Sequence, residues 1–196
     1  MSFVDPLALE EIDDADTLFD VAKKTLGFVP NAMLIMAKDP KMTAAFQAFV
    51  AEVLKPGKVQ PDLKIMAANL VSYSSGCRYC MAHTGNIIKN MGVSNEKIEA
   101  LWEYETSPLF DDAERSALKF AQTAAVTPGV VTKDDFDEIR QYFDDDQIVE
   151  IVAVISLYTF FNRWNDTFAT ELEDAPKSFA ETHLAKSGWE AGKHAK

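Results

Sequence analysis

Cysteine is almost missing from this chain, with two in 196 residues, and histidine is nearly as scarce, with three. Two cysteines cannot build a multi-bridge framework, so the fold must rest on its core. Basic residues are outnumbered, 19 Lys and Arg against 31 Asp and Glu, for a formal net charge of −12. That balance excludes a nucleic-acid surface, which needs clustered cations. No basic stretch precedes an apolar one at the start, where Met-Ser-Phe-Val-Asp-Pro turns acidic by Glu10, so no signal peptide is expected. The longest apolar run, Ile151 to Phe161 between Glu150 and Arg163, is shorter than the roughly 20 residues a membrane span requires. It reads as a buried helix. No membrane partner is expected, and the expected location is cytoplasmic, where a lone cysteine pair is more often catalytic or metal-binding than structural.

Strand alternation, internal repeats and low-complexity segments are absent too. What is present is helix punctuation. Asp16 to Thr25 runs at helical spacing up to Gly27, and Asn31 to Ala37 is a short apolar stretch closed by Asp39-Pro40. Met42, Ala45, Phe46, Phe49 and Val53 form an i, i+3, i+4, i+7 stripe over Lys41 to Leu54. Pro61 suits the first turn of a helix reaching about Tyr73, and Ser74-Ser75-Gly76 is a hinge before a helix ending near Met91-Gly92. Further helices are predicted from Ser94 to Tyr104, Asp111 to Val126, after Thr132, from Gln147 to Phe168, and from Pro176 to Ala185. The predicted architecture is one compact all-α domain over 1–196, eight or more helices, no sheet, and a frayed tail over about 186–196.

Both cysteines lie in Ser75-Gly76-Cys77-Arg78-Tyr79-Cys80-Met81-Ala82-His83-Thr84. Residues i and i+3 of a helix face each other, and a disulfide tolerates that separation. If Cys77 opens the helix, unpaired amides and the dipole favour thiolate there, the nucleophilic form. The segment reads as a redox centre. Other readings compete with it. Buried cysteines can be plain core. Structural zinc takes about four ligands; Cys77, Cys80 and His83 supply three, while His183 and His194 lie far along the chain. Covalent haem needs histidine directly after the second cysteine, where Met81 stands. A thioredoxin-like site needs flanking strands.

The motif, preceded by the apolar helix Leu63 to Val71, resembles the core signature of AhpD-like alkylhydroperoxidases, members of the carboxymuconolactone decarboxylase superfamily. The likeness is strongest over about 61–91, and Phe160-Phe161-Asn162-Arg163-Trp164-Asn165-Asp166 resembles a later segment of many members. The resemblance implies a compact helical fold, homo-oligomers, and peroxide reduction through a thiol–disulfide cycle without metal, flavin or other cofactor. Cys77 and Cys80 match the redox pair. His83 matches members that place two residues between second cysteine and histidine; where others place three, the position is Thr84. On a helix His83 lies about 60° from Cys80 around the axis and can serve that thiol. Many members carry a proton-relaying glutamate twelve residues before the first cysteine. Here that position is Ile65, with Asn69 one turn on, and Asp62 and Glu150 as the nearest acids.

The catalytic residues expected are Cys77, Cys80 and His83. One thiolate attacks a hydroperoxide and becomes sulfenic acid, the other closes the disulfide, and an external dithiol reduces it. His83 favours Cys80 as the attacking thiol with Cys77 resolving; the helix terminus favours Cys77. The alternatives are a cofactor-free decarboxylase or isomerase and a non-catalytic redox-sensing module. The apolar helix around Ile151 to Phe161 is the expected subunit contact, and Arg163 within it would need a buried partner.

Overall fold

A computed structural model describes residues 2–195, and every regular element among them is helical. Eleven α-helices follow one another: α1 Ala15–Leu18, α2 Asp20–Leu26, α3 Asn31–Met36, α4 Pro40–Leu54, α5 Pro61–Ser74, α6 Arg78–Asn90, α7 Asn95–Glu99, α8 Asp112–Ala124, α9 Lys133–Ile139, α10 Asp145–Phe168 and α11 Asp174–His183. The expected all-α class holds. Among the described residues no helix is long and apolar enough to cross a membrane.

Local chemistry sets the boundaries. Asp39 caps α4 by accepting the Met42 N–H at 3.0 Å, with Pro40 in the first turn. α8 and α10 open on reciprocal capping boxes, Asp111 with Glu114 and Asp144 with Gln147. α5 sits at the centre: Leu63 through Ser72 are all buried, because α6, α8 and α10 pack around it. A helix apolar all round is buried all round. The turn to α6 needs Gly76, whose φ of +71° is accessible to glycine at little cost. α11 then approaches α6 so closely that a Cβ on Gly85 would sit 2.5 Å from the Phe179 ring.

A satellite cluster of Phe19, Val29 and Ala37, with Leu18, Met33 and Leu34 packed on it, ties α1 to α3, while Ala32 of α3 joins the main core. Four expectations need correction. The first predicted helix divides at Phe19 into α1 and α2, and the one after Ser94 shortens to α7 followed by a 3₁₀ turn at Ala100–Glu103. Arg163 is exposed rather than buried, so it faces no desolvation cost. The tail expected to fray packs instead: Trp189 and His194 are buried, and the Trp189 indole N–H donates to the Arg78 carbonyl at 3.0 Å. Its aromatics were worth more than its glycines and lysines. α10 buries Ile151, Val154, Ile155 and Leu157 in its own fold but leaves Val149, Val152 and Phe160 exposed.

Candidate functional site

The turn after α5 aims both sulfurs at one place. The Cys77 N–H donates to the Ser72 carbonyl at 2.9 Å, which fixes the entry into α6. Cys77 is the N-cap of α6, and its Sγ accepts the Cys80 N–H at 3.4 Å. The expectation that Cys77 opens the helix therefore holds. Both cysteines are unlinked thiols, 0% and 3% exposed. Burial pushes the Cys80 thiol well above its ordinary range, and the neighbouring Cys77 sulfur pushes it further; the Asn165 amide, donating to Cys80 Sγ at 3.3 Å, opposes both. Its surroundings thus favour the neutral thiol over the thiolate.

One turn along α6, the second ring nitrogen of His83 is fixed. Nε2 lies 2.5 Å from Glu173 Oε2, and the ring stacks on Tyr79 at 4.3 Å between centroids. Glu173, at the start of α11, also accepts the Tyr79 hydroxyl at 2.9 Å and the Asn31 backbone N–H at 2.5 Å. Burial alone would raise its carboxyl; His83 and the Asn31 N–H outweigh that and hold it below the usual carboxylate range. An ionised Glu173 can only accept, so it takes the hydrogen of His83 Nε2 and fixes the orientation of the ring.

Cys80, His83, Asn165 and Tyr158 line a cavity of about 500 Å³, walled by Leu26, Pro30, Val50, Leu54 and Phe161. Cys77 is not among its lining residues. Ile65, where a relay carboxylate was expected, forms part of the same wall. Thr84 turns the other way, donating to the Cys80 carbonyl at 2.7 Å and receiving the Asn69 amide at 2.7 Å in the α5–α6 interface. Asp62 receives the Leu63 N–H at 2.9 Å, and Glu150 pairs with buried Lys64 at 2.8 Å. Both acids are structural. Glu173 is the acid that meets the histidine, and neither spacing nor periodicity marks it, since 90 residues separate the two. Asn165 and Asp166 sit in a segment the sequence does mark. His194, expected far from the motif, is buried beside it: Cys77, Asp166 and His194 place three groups able to ligate a metal within 4.8 Å of one another.

Comparison with known proteins follows from this geometry. The model of the carboxymuconolactone decarboxylase family matches residues 40–123. The debrominase Bmp8, solved also as its C82A variant in complex with 2,3,4-tribromopyrrole, is 31% identical. The match covers 91% of this chain and 96% of that one, with a TM-score of 0.86. An alkylhydroperoxidase AhpD core from Ralstonia eutropha JMP134, a peroxidase-related protein, shares the fold at 23% identity, covering 91% and 95% of the two chains, with a TM-score of 0.80. The protein YnjA of Escherichia coli K12 is 28% identical over 111 residues, 57% of this chain; the match spans 61% of YnjA's own length.

Proposed function

Because the chain belongs to the carboxymuconolactone decarboxylase family, in its AhpD-like form, we propose that it reduces apolar hydroperoxides with the Cys77–Cys80 pair. The observation that carries this is the placement of Cys80 and His83 on one apolar cavity with Cys77 directly behind Cys80. The Cys80 thiol passes its proton to His83 Nδ1, and the thiolate attacks the nearer peroxide oxygen. An S–O bond forms, the O–O bond breaks, and the departing alkoxide takes the proton back as an alcohol. The Cys77 thiol then attacks the sulfenic sulfur, expelling water and closing the disulfide, and an external dithiol reduces it in two exchanges. Glu173 holds the His83 ring and stabilises the imidazolium that forms in the first step.

The test is turnover of cumene hydroperoxide with dithiothreitol. Cys80→Ser is expected to abolish it. With dithiothreitol left out, Cys77→Ser is expected to consume one peroxide per chain and to leave a sulfenic acid that dimedone traps. Full turnover by Cys80→Ser refutes the reading.

A second reading has its own support, the likeness to Bmp8 and the aromatic cavity wall at Tyr79, Tyr158 and Phe161. The same dithiol can exchange a carbon–halogen bond for carbon–hydrogen: aryl bromide and two thiols give arene, disulfide, bromide and a proton. Bromide release from a brominated pyrrole distinguishes it from peroxide reduction. Cofactor-free decarboxylation draws less support, because Lys64, the buried cation on the cavity wall that would hold a carboxylate, is already paired with Glu150.

A further inference from the structure

Peroxide chemistry at Cys80 gives no role to the group on the far side of Cys77. His194 is 1% exposed. Its Nδ1 donates to the Thr170 carbonyl at 2.7 Å, and its Nε2 faces Asp166 Oδ1 at 3.2 Å, a carboxylate oxygen that can only accept. The Cys77 sulfur completes the cluster, all three ligand atoms lying within 4.8 Å of one another. Three separate elements supply them: the N-cap of α6, the last turn of α10, and the 3₁₀ turn Gly192–His194. A bond outside the cluster holds the tail there, from the Leu172 N–H to the His194 carbonyl at 3.0 Å.

We propose that Cys77, Asp166 and His194 form a site for a thiophilic divalent transition metal, zinc above all, that exists only while the Cys77–Cys80 pair is reduced. Thiolate, imidazole and carboxylate are the ligand types zinc takes, and three protein ligands leave its fourth position for water or an added ligand. Calcium and magnesium prefer oxygen alone. A histidine whose other ring nitrogen donates to a backbone carbonyl has the support that metal-bound histidines usually carry. With bonds of about 2.0–2.3 Å, tetrahedral ligand atoms stand roughly 3.3–3.7 Å apart. His194 and Asp166 already meet that spacing, and the sulfur has at most about 1 Å to close. The Lys193 ammonium, 3.3 Å from the same Asp166 oxygen, must swing aside, and its side chain is half exposed.

Metal uptake displaces two protons, the Cys77 thiol proton and the one His194 Nε2 holds toward Asp166, and involves no electron transfer. Disulfide closure consumes the same sulfur. The two states therefore exclude each other: zinc withholds the resolving thiol, and oxidation releases zinc. The site itself depends on neither the peroxide reading nor the halide reading, and its test uses no substrate.

The full chain, reduced and stripped of metal, is titrated with zinc against a chromophoric chelator, and with cobalt, whose thiolate charge-transfer band reports sulfur ligation. One zinc per chain is expected, with the cobalt band present and binding abolished by prior oxidation. His194→Gln and Asp166→Asn, shown folded by far-ultraviolet circular dichroism, are expected to weaken zinc by more than about tenfold. Should either fail to fold, Cys77→Ser, which removes the sulfur without disturbing the tail, carries the same expectation. His83→Gln and His183→Gln are expected to bind as the parent does. Absence of stoichiometric zinc in the parent, undiminished binding by His194→Gln and Cys77→Ser, or loss of binding in His83→Gln overturns the proposal.

Discussion

Replacing Glu173 by Gln removes one charge and little volume, and three contacts then report on it. The Asn31 N–H and the Tyr79 hydroxyl can still find an amide oxygen, but His83 Nε2 meets an amide nitrogen instead of a carboxylate. Hydrogen bonds to charged groups contribute about 1.5–3 kcal/mol against about 1 for neutral ones, so losing the charge should cost about 2–3 kcal/mol. For a chain of this size that lowers Tm by roughly 4–12 °C. The pH dependence carries a definite sign. The Glu173 carboxyl is depressed in the folded protein, so its contribution is fully present above the ordinary pKa near 4.5. It is lost as pH falls through the lower folded value. Parent and variant should therefore differ most at neutral pH and converge below about pH 4. Peroxide turnover should fall as well, by about 10²-fold at least, because His83 can flip to the wrong tautomer. Thermal melts from pH 3 to 7 beside the peroxide assay decide this. Parallel melting curves at every pH, with unchanged turnover, would show that no ionised Glu173 supports His83.

His83→Gln should cost at least about 10²-fold in peroxide turnover while leaving disulfide formation by diamide intact; a rate within a few-fold of the parent makes His83 structural. Gly85→Ala forces a methyl against the Phe179 ring and should destabilise by about 1–3 kcal/mol, read from urea melts; an unchanged midpoint refutes the close α6–α11 fit. Ile65→Glu should not raise turnover, since Glu173 already occupies Nε2 of His83, and should lower stability most at neutral pH, where a carboxylate in an apolar wall is charged. Val149, Val152 and Phe160 leave an apolar stripe on α10, so sedimentation at micromolar concentration should show a homo-oligomer, and a clean 21.8 kDa monomer refutes that contact.

Periodicity and capping residues made most helices legible, because their signals are local: the Asp39 and Asp144 caps and the Pro40 and Pro61 starts lie next to the helices they open. The sulfur pair and His83 were legible for the same reason, all within one helix. What escaped came from distance. Glu173 lies 142 residues from Asn31 and 90 from His83, and no spacing rule reaches that far. His194 was hidden by the company it keeps, since Gly192 and Lys193 read as a loose end although Trp189 anchors the segment against α6. Ile65 in the expected carboxylate position left open either a shortened relay or a substitute group, and nothing local pointed to Glu173.

The bond from Asn31 to Glu173 has a bearing on the order in which the protein acquires its chemistry. Asn31 reaches the far end of the chain twice, its N–H to the Glu173 side chain and its amide to the Glu171 carbonyl at 2.9 Å. Closing so large a loop is entropically slow compared with forming neighbouring helices. α5 and α6, adjacent in sequence and tightly packed, are placed to form first and bring the thiols together early. The carboxylate that meets His83 arrives only when α11 docks on α6. The thiols are thus brought together by neighbouring helices, while the His83–Glu173 contact joins segments 90 residues apart.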